Sequence, residues 1–126
     1  MSSYAFDSNI VIDALAGFEP AVDEIRRASR DGGRVWLSRM VWIEVLSKGT
    51  GNRLRNAEHF MTGFGIDEID AEIATRAAAL RRERPRFKSP DAIILATAHV
   101  HGRVLVTRNT KDFPADMPGI HVPYTL

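Results

Sequence analysis

At 126 residues, 44% hydrophobic and 26% charged, the chain has the size and make-up of one globular domain, residues 1–126, with a single core. It has no cysteine, which excludes disulfides and Cys-ligated zinc and leaves the cytoplasm as the expected location. A net charge of +1, from 17 basic and 16 acidic residues, does not announce a nucleic-acid binder, and no apolar run nears the roughly 20 residues needed to span a bilayer.

Ser3 to Phe6 is short and rich in β-formers, and it runs into Asp7-Ser8-Asn9, three helix-capping residues. Ile10, Ile12, Ala14, Leu15 and Ala16 continue the helix until Gly17. Helical spacing returns from Pro20 to Arg30, Asp31-Gly32-Gly33 breaks it, and Arg34 to Leu37 reads as a strand. Ser38 caps a helix from Met40 to Leu46, and Asn52 to Met61 reads as another, closed by Gly63 and Gly65. Ile66 to Ile69 fits a brief strand. Asp70 caps an Ala-rich helix to about Arg84, and Ser89-Pro90 opens a strongly apolar one through His99, closed by Gly102. Val104 to Val106 has the continuous apolar character of a strand covered on both faces, and Ile120 to Val122 fits a last short one. Strands separated by helices along the whole length imply an α/β fold, a mostly parallel sheet with helices on both faces. Ligands bind at the carboxyl ends of such strands.

Asp7 stands in that position. Helix capping alone accounts for an Asp there, yet its apolar surroundings would make an unpaired carboxylate costly. Glu44 sits among Met40, Val41, Ile43, Val45 and Leu46, either buried or on one wet stripe beside Lys48. Asp91 falls in a first helical turn, where the helix dipole favours it, and Asp112 follows the strand Val104 to Val106 in a segment that also suits a surface loop. If the four acids converge at one end of the sheet, they repel one another unless a divalent cation intervenes, and all-oxygen ligation suits Mg²⁺ or Mn²⁺.

Four stretches, "FDSNIVID", "VWIEVL", "SPDAIILATAHVHG" and "VLVTRNTKDF", resemble in order and spacing the successive acidic motifs of PIN-domain ribonucleases, and more narrowly those of the VapC toxins of toxin–antitoxin pairs. The resemblance covers nearly the whole chain. It implies a PIN-like three-layer sandwich and a metal-dependent endoribonuclease leaving a 5′-phosphate and a 3′-hydroxyl. Asp7, Glu44 and Asp91 match the three core acids and Asp112 the less regular fourth, so these four would be the catalytic metal ligands. Thr107 and Asn109 fall where the family places polar helpers. The resemblance further implies an RNA substrate, a VapB-like antitoxin and a homodimer, with Phe60, Met61 and Phe64 as apolar residues that a small core would leave partly uncovered.

An acidic pocket alone repels RNA. The run "RRERPRFK" supplies Arg81, Arg82, Arg84, Arg86 and Lys88 as candidate backbone contacts, against the alternative of a solvated helix end. Arg108 and Lys111 flank the last acidic motif and could also touch phosphate; Arg39 could do so, or pair poorly with Glu44. The histidines lack zinc-site spacing, and His99 and His101 suit a helix C-terminus. Trp42 suits packing better than base stacking. The competing reading is a PIN-like module that binds RNA or protein without cutting. A dehalogenase-type phosphatase would need a second Asp where Asn9 stands, and a receiver-like domain an early acidic pair.

Overall fold

The computed structural model describes residues 2–126. Five strands, β1 (Tyr4–Phe6), β2 (Trp36–Ser38), β3 (Gly65–Asp67), β4 (Val104–Val106) and β5 (Ile120–His121), alternate with six helices. These are α1 (Ser8–Leu15), α2 (Glu19–Gly32), α3 (Arg39–Leu46), α4 (Gly51–Met61), α5 (Ala71–Glu83) and α6 (Ser89–His101). The sheet order is β3-β2-β1-β4-β5, and every pairing is parallel.

Local chemistry sets most boundaries. Ser38 Oγ accepts the Met40 N–H at 3.1 Å and Asp70 Oδ1 accepts that of Ile73 at 2.9 Å, so α3 and α5 begin where a side chain replaces the missing carbonyl. Gly102, at φ +66°, ends α6 in the left-handed conformation that a Cβ disfavours. β3 starts at Gly65 instead of Ile66 because the Gly65 N–H bonds the Val35 carbonyl at 2.8 Å, and it stops before Glu68 to Asp70, which lead into the next helix.

The connections explain where the functional end lies. The chain moves from β1 to β2 to β3 in one direction, then returns past β1 to β4 through α5 and α6. Right-handed crossovers therefore put α5 and α6 on the face opposite the earlier helices. The reversal falls between β1 and β4, where a parallel sheet opens a crevice at its carboxyl end. Asp7 and Thr107 are the residues that follow those two strands.

The core holds Phe6, Leu37, Leu105 and Val106 from the sheet, with Ile10, Val41, Ile73, Ile94 and Leu95 from the helices, each worth about 1.5–3 kcal/mol on burial. The expectation that Phe60, Met61 and Phe64 stay partly uncovered is corrected for two of them: Met61 and Phe64 are buried, and Phe60 is half-buried. Phe64 packs edge-on against both Phe60 and Phe6, with centroids 5.4 and 6.2 Å away, which draws this end of α4 into the core. Exposed large apolar side chains are instead Leu15, Ile43, Ile69 and Leu126. Among the described residues, no helix is long and apolar enough to cross a membrane.

Candidate active site

Asp7 closes β1 and caps α1. Its backbone N–H bonds the Val106 carbonyl at 2.9 Å, so the β1–β4 ladder continues one residue past the strands and fixes the Asp7 backbone. Oδ1 accepts the Ser8 N–H at 2.8 Å; Oδ2 accepts Thr107 Oγ1 at 2.7 Å and Asn9 Nδ2 at 3.3 Å. Only 3% of Asp7 is exposed. Burial pushes its carboxyl above the ordinary range, against the pull of the Thr107 and Ser8 hydrogen bonds, and the Glu44 charge adds to the rise. Capping and site membership are thus not alternatives here: one oxygen closes the helix while the other meets the β4 loop.

Glu44 lies half-buried in the last turn of α3, on the stripe between the buried Val41 and Val45. Ser8 Oγ donates to its Oε1 at 3.0 Å, tying it to the start of α1. Asp91 sits in the first turn of α6. Its carboxyl is pushed up to about 6, first by burial and then by the charges of Asp7, Asp112 and Glu44, with Lys88 pulling the other way. Asp112 is oriented by Asn109, whose Nδ2 donates to Oδ2 at 2.9 Å and whose Oδ1 accepts the Asp112 N–H at 3.3 Å. The Asn109 N–H in turn bonds Thr107 Oγ1 at 3.0 Å. The fold therefore brings Asp7, Glu44 and Asp112 within electrostatic reach of Asp91. Among the described residues, no three Asp, Glu or His side chains stand close enough to hold a metal ion as they lie.

The basic residues separate. Arg81 Nε donates to the Phe87 carbonyl at 3.0 Å and so braces the turn between α5 and α6. Arg82 lines an open groove along these helices with Arg76 and His99. Arg84, Arg86 and Lys88 are exposed in the turn leading to Asp91. Arg39 pairs with Glu68, at 2.8 and 2.5 Å, not with Glu44, and its guanidinium lies 4.9 Å from the Trp42 ring centre, so Trp42 packs under a cation. Arg108 is held by Asp13 through two hydrogen bonds of 2.6 and 3.2 Å, which occupies the side chain expected to touch phosphate.

Three contributors were not singled out from the sequence. Ser8 has a signal, being the middle residue of the capping run. Asp13 lies one helical turn beyond Asn9, a spacing that puts both on one face. Tyr124, whose hydroxyl reaches Asp13 Oδ2 at 2.7 Å, lies 111 residues away and has none.

The profile of the PIN domain family matches residues 4–115. This chain belongs to the PIN domain family. Its strongly similar solved structures include a chain of a toxin–antitoxin complex from Klebsiella pneumoniae, 38% identical, with a TM-score of 0.88 and coverage of 98% of this chain and 100% of that one. VapBC2 from Rickettsia felis, bound to a DNA fragment from its promoter, shares the fold at 19% identity and a TM-score of 0.74, covering 93% and 94%. FitAcB from Neisseria gonorrhoeae does so at 21% identity and a TM-score of 0.78, covering 98% and 99%. No curated protein matches the chain. The family match thus spans most of the chain, and the likeness to the Klebsiella chain nearly all of it.

Proposed function

We propose that this PIN domain is the toxin of a toxin–antitoxin pair and hydrolyses RNA phosphodiester bonds with Mg²⁺ or Mn²⁺ held by Asp7, Glu44, Asp91 and Asp112. The observation that carries the reading is the convergence of the acids: Asp7, Glu44 and Asp112, which come from three separate parts of the chain, all lie within electrostatic reach of Asp91 at the carboxyl end of the sheet. With all four carboxylates ionised the crevice would carry a formal charge of about −4, a repulsion that hard divalent cations with oxygen ligands relieve. The donor chemistry fits such an ion, carboxylate oxygens and no sulfur, although among the described residues the side chains would have to draw together to ligate it.

When bound, the ion would supply a water of lowered pKa and take up negative charge on the phosphate. The chain's own part is orientation. Thr107 and the Ser8 amide hold Asp7, the Ser8 hydroxyl turns Glu44 inward, and Asn109 aims Asp112. Burial and the neighbouring acids raise the carboxyls of both Asp7 and Asp91, and a cation held between them would favour the ionised form of each. Arg84, Arg86 and Lys88 offset the acidic crevice and grip the RNA backbone beside it, while Arg81 and Arg82 contribute charge from the adjoining helix end.

The 38% identical chain of the Klebsiella toxin–antitoxin complex supports a VapB-like antitoxin as partner. Exposed Leu15 and Ile43, on the helices that carry the Asp7 cap and Glu44, offer apolar surface to that partner or to a second copy of the chain.

The test is cleavage of a panel of structured RNAs by purified antitoxin-free protein with Mg²⁺, with Mn²⁺ and with EDTA, beside Asp7→Asn. Metal-dependent cutting that disappears in Asp7→Asn supports the reading. RNA binding without cutting, equal in both proteins and indifferent to EDTA, would replace it with a non-cleaving binding module.

A further inference from the structure

We infer that Asp13, Arg108 and Tyr124 form a positioning unit that fixes the loop carrying Thr107, Asn109 and Asp112 against Asp7, so that cation affinity at the site depends on the C-terminal segment. The inference rests on the metal-dependent reading above and assigns roles to residues that touch none of the four acids.

β4 is held in the sheet by β1 and β5 as far as Val106, and the Thr107 N–H bonds the His121 carbonyl at 3.1 Å. Beyond that point the ladder ends; backbone turn bonds from Thr110 to Arg108 (3.1 Å) and from Phe113 to Asn109 (3.0 Å) curl the loop on itself, and side chains tie it to the rest of the fold. Arg108 is the next residue. Its Nε and Nη2 meet the two oxygens of Asp13 at 2.6 and 3.2 Å, a forked pair with fixed direction, and Tyr124 Oη donates to Asp13 Oδ2 at 2.7 Å. The Asp13 side chain is 12% exposed and that of Arg108 29%, so solvent competes weakly for the pair. Phe18 packs edge-on against Tyr124, with centroids 5.2 Å apart, which holds the phenol in place.

Two paths lead from this clamp to the acids. The Arg108 N–H reaches Asn9 Oδ1 at 3.4 Å, and Asn9 Nδ2 reaches both Asp7 Oδ2, at 3.3 Å, and Thr107 Oγ1, at 3.4 Å. On either side of Arg108, Thr107 donates to Asp7 and Asn109 donates to Asp112. Pinning Arg108 to α1 therefore sets the two residues that orient Asp7 and Asp112. It also explains why a basic residue beside an acidic motif does not reach outward: its guanidinium is spent on Asp13.

Arg108→Lys keeps the charge and loses the fork, Asp13→Asn removes the charge, and Tyr124→Phe removes one hydroxyl. For each, Mn²⁺ affinity is measured by calorimetry on the purified chain, together with kcat and KM on a cleaved RNA and Tm in EDTA. Arg108→Lys and Asp13→Asn are expected to weaken Mn²⁺ binding about tenfold and to lower kcat at unchanged KM, with a smaller effect in Tyr124→Phe. Unchanged Mn²⁺ affinity in all three, even with a lowered Tm, would reduce the cluster to a structural role. A raised KM with full Mn²⁺ affinity in Arg108→Lys would make Arg108 a phosphate contact instead. Either result overturns the inference alone, whereas a wild-type chain that binds no Mn²⁺ overturns the metal-dependent reading and this inference with it. If Asp13→Asn fails to fold, Tyr124→Phe decides by the same readouts.

Discussion

Thr107 Oγ1 donates to Asp7 Oδ2 across 2.7 Å, a buried hydrogen bond between residues 100 positions apart. It exists because β1 and β4 are neighbours at the point where the strand order reverses, and it is the shortest side-chain contact that Asp7 makes. Thr107→Val keeps the shape and removes the donor. Loss of a buried partner of this kind costs about 1–3 kcal/mol, and cation affinity or activity should fall about 10- to 100-fold. Thr107→Ser, which keeps the hydroxyl, should stay near wild type. Denaturant titration and RNA cleavage with Mn²⁺ check both.

The raised Asp91 carboxyl makes the metal-free protein pH-sensitive, and the sign follows from linkage. Its folded pKa of about 6 lies above the ordinary 3.8, so the folded state prefers the protonated form. The corresponding stability is present below about pH 4 and is lost as pH rises through 6. Asp91 is only half-buried, so after discounting for solvent screening the effect is on the order of 1 kcal/mol. Asp91→Asn should raise the Tm in EDTA at pH 7 and leave it little changed at pH 4. The comparison at fixed pH separates Asp91 from His99, whose lowered pKa acts in the opposite direction. Mn²⁺ should stabilise wild type more than Asp91→Asn.

Gly65 is a packing requirement. A Cβ there would stand 2.4 Å from Trp36 Cε3, in clash with an indole that Arg103 also covers from 3.7 Å. Overpacking of this order costs about 1–3 kcal/mol, so Gly65→Ala should lower the urea midpoint with an unchanged m-value. Trp36→Leu in the same chain should recover part of the loss, a non-additivity that a double-mutant cycle measures.

Much of this was legible in sequence because it is local. Caps at Ser38 and Asp70, Pro90 at a helix start and Gly102 at a helix end each act within a turn, and the elements they bound fall within a few residues of expectation. Asp7 and Glu44 stood out for a related reason, an Asp directly after a strand and a Glu within an apolar helix being at odds with their surroundings, whereas Asp91 and Asp112 stood out only through the motif resemblance. What escaped reading depends on contacts across the chain. Phe64 and Met61 read as uncovered because nothing in "HFMTGFG" says that Phe6 will meet Phe64. Arg39 read as a phosphate contact or a poor partner for Glu44 because its partner, Glu68, lies 29 residues away. Arg108 read as a free cation because Asp13 and Tyr124 are distant in sequence.

The basic run divides into two predicted behaviours. Arg84, Arg86 and Lys88 are exposed in the turn before Asp91, and the Lys88 charge reaches that carboxyl. Replacing all three with Gln should raise KM for RNA, and the slope of log affinity against log salt should shrink by about 2, from about 0.7 per neutralised phosphate on a single strand. Because Lys88 pulls the Asp91 pKa down, the same variant should move the acidic limb of the cleavage profile to higher pH. Arg81 is different: it holds the Phe87 carbonyl, and Phe87 packs edge-on against buried Phe113 at 5.4 Å. Arg81→Gln should therefore lower the Tm through that turn while leaving the salt slope closer to wild type than the triple replacement does. Filter-binding across a salt series, run beside thermal unfolding of the same proteins, separates the two; equal salt slopes for wild type and the triple variant would remove these residues from the RNA interface.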